Sequence, residues 1–263
     1  MALHALRHSK LEGGGVVPDD LPGRGGRAAE GRYGSSMTSL AEKFRTELES
    51  PLGSELRPSW RGRTHMIALF TAIPAFVVLL VLARGASAKT GVVIYGVGLC
   101  AMFGVSTTYH RWVHSFRARA AWQRADHATI YAAIAGTATP VALVAMPRVW
   151  GIPLLVVMWT GAICGAVMKA VDWKHATIVG GILYIVLGWI GLAALPAMWR
   201  HAGAWPALCL IGGGVLYTVG AIGFAMGRPK LKPAVFGYHE VWHLFTIAAA
   251  TAQLVAVWAV VTR

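Results

Sequence analysis

From residue 66 to the end of the chain, apolar runs of about 18–24 residues recur between short polar gaps, each long enough to cross a hydrocarbon layer of about 30 Å as a helix. The pattern predicts seven membrane helices, over Met66–Ala83, Gly91–His110, His127–Met146, Ile152–Lys169, Ala176–Trp199, Trp205–Met226 and Glu240–Val261. Only Ala170–His175 divides the fourth span from the fifth. No run alternates with period two, so a closed β-barrel is excluded and the expected fold is all-α, a polytopic seven-helix bundle. The small-residue clusters Gly180–Gly181 and Gly212–Gly214 mark places where helices are expected to approach closely.

Upstream of residue 66 the pattern changes. Residues 1–65 are polar and rich in glycine, including Gly13–Gly15, and cannot bury enough apolar surface to fold alone, so a mostly disordered segment is expected before the membrane domain at 66–263. It has no apolar core followed by a small-residue cleavage site and is not expected to be a signal peptide. Met37 is an alternative start to Met1. Within 39–49, Leu40, Phe44 and Leu48 follow helical spacing, which fits a short amphipathic helix lying either on the membrane surface or in solvent.

Composition supports the membrane reading: 56% of the residues are hydrophobic and 13% charged, too apolar a balance for an ordinary soluble enzyme. A net charge of +13 raises the question of nucleic acid, but Lys and Arg concentrate in and beside the gaps, where topology accounts for them. Arg57, Arg61, Arg63, Arg111, Arg117, Arg119, Arg124, Lys169, Lys174, Arg228, Lys230 and Lys232 fall on one side. Arg84, Lys89, Arg148, Arg200 and Arg263 fall on the other. This asymmetry predicts a cytoplasmic N-terminus and an external C-terminus, with membrane lipids rather than nucleic acid as partners and the oligomeric state open. Cys100, Cys164 and Cys209 lie singly in apolar runs, which encodes neither a disulfide framework nor a cysteine metal site.

Acidic residues are scarce in the membrane domain, where only Asp126, Asp172 and Glu240 occur. The predicted topology brings the end of the second span and the starts of the third and seventh to one face. Those ends carry the unusual residues: Ser106 and His110, Asp126 and His127, and His239, Glu240 and His243. Ser106 and His110 are four apart, as are His239 and His243, so each pair shares a helical face. Ionisable side chains in membrane helices are rare and mark functional sites. A His pair at i and i+4 with a third His makes a three-ligand zinc set with an open fourth position, the arrangement of a catalytic rather than a closed structural site. The three ligand nitrogens would then lie roughly 3–4 Å apart. Asp126 is placed to hold or deprotonate a water and Ser106 to hydrogen-bond that water or an oxyanion. Blander readings exist: an isolated HxxxH often only caps or hydrogen-bonds, and Asp126 is also placed to cap a helix or to pair with Arg124. His127 points about 100° away from Asp126 and fits an outer position. His114, His175 and His201 are expected in solvated loops, Glu240 near a cation of the preceding loop, and Trp112, Trp150, Trp199 and Trp242 at the membrane interfaces.

Three stretches resemble the haemolysin III family, the bacterial branch of the progestin and adipoQ receptor superfamily. They are Ser-Thr-Thr-Tyr-His at 106–110, Arg-Ala-Asp-His-Ala-Thr-Ile-Tyr at 124–131 with Ile-Ala-Gly-Thr-Ala-Thr-Pro at 134–140, and Phe-Gly-Tyr-His-Glu-Val-Trp-His-Leu-Phe at 236–245. The resemblance implies a seven-helix fold in the bacterial plasma membrane and a zinc site near the cytoplasmic face, with His110, His239 and His243 as ligands and Ser106 and Asp126 alongside. Ala138 departs from the family pattern, which has an aromatic residue there. The superfamily is similar in this signature to alkaline ceramidases, which implies zinc-assisted cleavage of a lipid-like amide or ester. The family's name implies instead a pore-forming, membrane-perturbing activity with a structural zinc, and a receptor or regulator of membrane lipid state is the third alternative.

Overall fold

A segment removed from water must close its backbone hydrogen bonds internally, and each apolar run does so as a helix. The computed structural model describes residues 58–171, 176–229, 231–232 and 234–263. The expectations for the N-terminal 57 residues, the helix at 39–49 among them, lie outside the described residues, as do Asp172, Lys174, His175 and Lys230. In chain order the helices are α1 (Arg63–Leu82), α2 (Gly85–Arg111), α3 (Phe116–Val144), α4 (Arg148–Ala170), α5 (Ala176–Ile190), α6 (Leu195–Ala202), α7 (Ala204–Ala225) and α8 (Tyr238–Val261). A 3-10 turn, Gly191–Ala194, joins α5 to α6, and together they make the fifth span. Among the described residues, seven spans are long and apolar enough to cross a membrane, and the chain is an integral, multi-pass membrane protein.

The helices outrun the apolar segments that signal them. α1 begins three residues before Met66, α2 six before Gly91, and α3 eleven before His127. Residues with good helix propensity, the arginines and alanines at 117–121, extend α3 beyond the apolar run. The Ser115 hydroxyl caps it by accepting a hydrogen bond from the Ala118 amide at 3.3 Å. In the fifth span the α-helix gives way to the 3-10 turn just before Pro196, which sits in the first turn of α6 and brings no amide proton.

α2 and α3 form the centre of the bundle: about half of each is buried, against 17% for the fifth and sixth spans. Their contact is backbone to backbone, since a Cβ on Gly98 would lie 2.8 Å from the Ala132 carbonyl oxygen. Of the glycine clusters, Gly180 packs against Lys169 and Tyr131, and Gly213 against Gln253 and Ala249, while Gly181, Gly212 and Gly214 face open space. Tyr95, Leu79, Met158, Met198 and Val257 fill the core, and Phe70, Val81, Val149 and Ile178 face outward, as the lipid-facing side requires. Thr107, Thr137, Thr139 and Thr246 return their hydroxyl protons to the carbonyl four residues earlier, so these hydroxyls are satisfied within their own helices.

Two expected surface groups are inside. Lys169 does not reach a loop; its side chain is buried, with Nζ 5.9 Å from the Tyr184 ring centroid. The space exists because Gly180 has no side chain: a Cβ there would meet Lys169 Cε at 2.7 Å. His201 is not in a solvated loop but in α6, part-buried, with Nε2 3.3 Å from the Val260 carbonyl. Trp112, Trp150 and Trp199 are exposed, as interfacial anchors would be, whereas Trp242 packs against Phe224. Backbone bonds tie the chain at both ends of the bundle: Arg84 donates to Val261 at one, and Ser59 and Trp60 donate to Ala234 and Val235 at the other.

Candidate metal centre

The second end gathers the titratable residues. In the last turns of α2, Ser106, Thr107 and His110 are buried, and His110 meets both α3 and α8. α8 opens at Gly237 with a carboxylate in its first turn: Glu240 Oε2 accepts the Gly237 amide at 2.7 Å, which stabilises the helix start and fixes the phase of its first turns. With that phase set, His239 and His243 face His110. The His239 and His110 Nε2 atoms are 3.2 Å apart. Nitrogens about 2.1 Å from one tetrahedral ion would stand about 3.4 Å apart, so this pair has the expected separation. A ligand nitrogen of His243 joins them, all three lying within 4.8 Å of one another.

This cluster could hold a metal ion. Three imidazoles supply nitrogen donors suited to a borderline transition metal, and no cysteine, carboxylate or further imidazole completes the set among the described residues. The buried His243 Nδ1 has no hydrogen-bond partner among the described residues.

Asp126 lies beside the cluster, with Oδ2 3.8 Å from His110 Nε2, and the Ser106 side chain lies next to its carboxyl group. The capping alternative for Asp126 does not hold, because α3 begins ten residues earlier and Ser115 is its cap. His127 is outside the cluster; its carbonyl accepts the Tyr184 hydroxyl at 2.7 Å. Glu240 points away from the imidazoles, but its cation is not in the preceding loop. Arg61, ahead of α1, donates Nε to Glu240 Oε1 at 2.5 Å, and Glu240 is completely buried.

One residue at the site escaped the sequence reading. His65, in the first turn of α1, stacks face to face on His243, with ring centroids 3.8 Å apart and planes 11° from parallel. A signal was available, since the predicted topology puts the start of the first span on the same face as the other histidines. The apolar run begins only at Met66, which left His65 among the flanking polar residues.

The chain is similar in sequence to known proteins over most of its length. A family described as "Haemolysin-III related" matches residues 54–254. The chain is 30% identical over 190 residues to "Hemolysin-3" of Bacillus cereus, covering 71% of this chain and 84% of that protein. It is also 30% identical to the "Hemolysin-3 homolog" of Bacillus subtilis (strain 168) over 197 residues, covering 74% and 89% of the two chains. A human protein, "Monocyte to macrophage differentiation factor", is 26% identical over 205 residues, covering 74% and 80%.

Proposed function

The chain belongs to the haemolysin-III-related family, and from that premise we propose that it is a zinc-dependent hydrolase of a lipid-like amide or ester, working at the cytoplasmic side of a bacterial plasma membrane. The observation that carries this reading is the convergence of His110, His239 and His243 beside a carboxylate that belongs to a different helix. Zinc held by three histidines acts as a Lewis acid and makes hydroxide accessible near neutral pH.

The protein's own groups supply the rest. Asp126 accepts a proton from the attacking water at a carboxylate oxygen and returns it to the leaving amine or alcohol. The Ser106 hydroxyl, next to the Asp126 carboxyl, would hold that carboxyl toward the imidazoles. A cavity of about 580 Å³ between α7 and α8 supports a lipid-like substrate. It is lined mainly by apolar residues, among them Gly220, Phe224, Trp242 and Phe245, with Arg228 as its cationic member. The Phe224 ring also touches His239, with centroids 5.1 Å apart, so an acyl chain in this groove would lie one side chain away from the cluster.

The test is hydrolysis of N-acyl and O-acyl lipids, ceramides included, by detergent-purified protein and by its Asp126→Asn variant. The wild type is expected to release fatty acid, and Asp126→Asn to retain its metal while turning over about 10²–10⁴-fold more slowly. Full activity in Asp126→Asn would remove this residue from the chemistry.

A further inference from the structure

The segment that leads into α1 is the part of the site that the ligand set does not explain. It touches both ligand-bearing helices. Arg61 bonds Glu240 of α8, and Gly62, at φ 75°, lies so close to α2 that a Cβ on it would be 2.9 Å from both His110 Cβ and Arg111 Cγ. Three residues on, His65 enters the bundle between Phe103, with centroids 5.1 Å apart, and His243, at 3.8 Å. His65 is 4% exposed, and neither ring nitrogen has a hydrogen-bond partner among the described residues.

Two buried, unpartnered nitrogens disfavour this side chain on stability grounds alone, and an apolar residue of similar size would fill the space without that penalty. What the side chain does offer is a flat aromatic face. A metal-ligating histidine ordinarily has its ring plane fixed by a hydrogen bond from the nitrogen that does not bind the metal. With Nε2 as the ligand atom, Nδ1 would be that nitrogen in His243, and among the described residues no hydrogen bond fixes it. What lies against the His243 ring face to face is the imidazole of His65, parallel to within 11°. A ligand imidazole gives up electron density on coordination, and a ring so polarised is attracted to the electron-rich face of a neutral neighbour, as cations are.

We propose that His65 is a positioning residue of the metal centre, setting the plane of the His243 ring by face-to-face stacking in place of the missing hydrogen bond. The proposal rests on the three-histidine metal reading and adds to it a role for a residue outside the ligand set. It makes an aromatic face necessary at position 65 and a ring nitrogen unnecessary.

The experiment compares zinc affinity and the visible spectrum of the cobalt-substituted protein for wild type, His65→Phe and His65→Leu, with thermal unfolding of the metal-free forms as the control. His65→Leu is expected to bind zinc 10–100-fold more weakly and to show altered cobalt bands, as disturbance of a ligand's supporting partner does. It is expected to unfold no earlier than wild type, because it buries no unpartnered nitrogen. His65→Phe should restore both affinity and spectrum. If His65→Leu does not fold, His65→Met replaces it, filling the space flexibly without an aromatic face. Wild-type affinity and cobalt bands in the leucine or methionine variant would overturn the proposal, as would a tenfold loss in His65→Phe, which would mean that a nitrogen is needed. Failure of the wild type itself to bind zinc or cobalt would overturn the metal reading, and this inference with it.

Discussion

Ser106 is buried beside Asp126, and its hydroxyl is placed to hydrogen-bond the carboxyl group that lies next to His110. A hydrogen bond to a charged group is worth about 1.5–3 kcal/mol. If Asp126 handles the proton, Ser106→Ala should therefore lower turnover on acyl lipids by about 10-fold to 100-fold while metal content stays unchanged. Equal turnover in the two proteins would show that the hydroxyl does not support the carboxylate during reaction. The grouping of Ser106, His110, Asp126, His239 and His243 was legible in the sequence because helical spacing is local: residues four apart share a face whatever the helix packs against. Which face meets which is settled by packing across the bundle, and only the coordinates place Asp126 Oδ2 3.8 Å from His110. Lys169 shows the limit of charge counting. Whether a lysine at a helix end reaches the headgroups or folds inward depended here on a glycine eleven residues away in sequence.

α8 carries two of the three imidazoles, and its first turn is held by one buried carboxylate that serves both its own Gly237 amide and Arg61. Removing one partner of such a pair leaves the other charge buried and uncompensated, a loss of about 3 kcal/mol. Arg61→Met should therefore lower the unfolding midpoint in detergent clearly. Adding Glu240→Gln should recover most of the loss, because glutamine carries no charge and still accepts the Gly237 amide. Similar midpoints for Arg61→Met and wild type would mean that the pair contributes nothing to holding α8. This tie could not be read from the chain, since its partners are 179 residues apart and no periodicity links them. The helices themselves were legible as apolar runs. Their true starts were not, because hydropathy marks the length that crosses lipid, whereas Ser115 and the polar turns after it extend α3 beyond that length.

At the scale of the whole molecule, seven spans among the described residues would put the start of α1 and the end of α8 on opposite sides of the membrane, and the lysine and arginine asymmetry predicts which side each occupies. A cysteine added after Arg263 should react with an impermeant maleimide applied to intact cells, whereas one placed at Ser36 should react only after lysis. The reverse pattern would put the histidine cluster on the outer side and remove the cytoplasmic setting of the proposed chemistry. A bundle of lipid-facing helices organised around one metal, bound by histidines from its second and seventh spans, should carry that metal through purification. Elemental analysis of detergent-purified protein, dialysed without chelator, beside the His239→Ala/His243→Ala variant should find about one zinc per wild-type chain and none in the variant. Equal metal in both proteins, or none in either, would contradict that organisation.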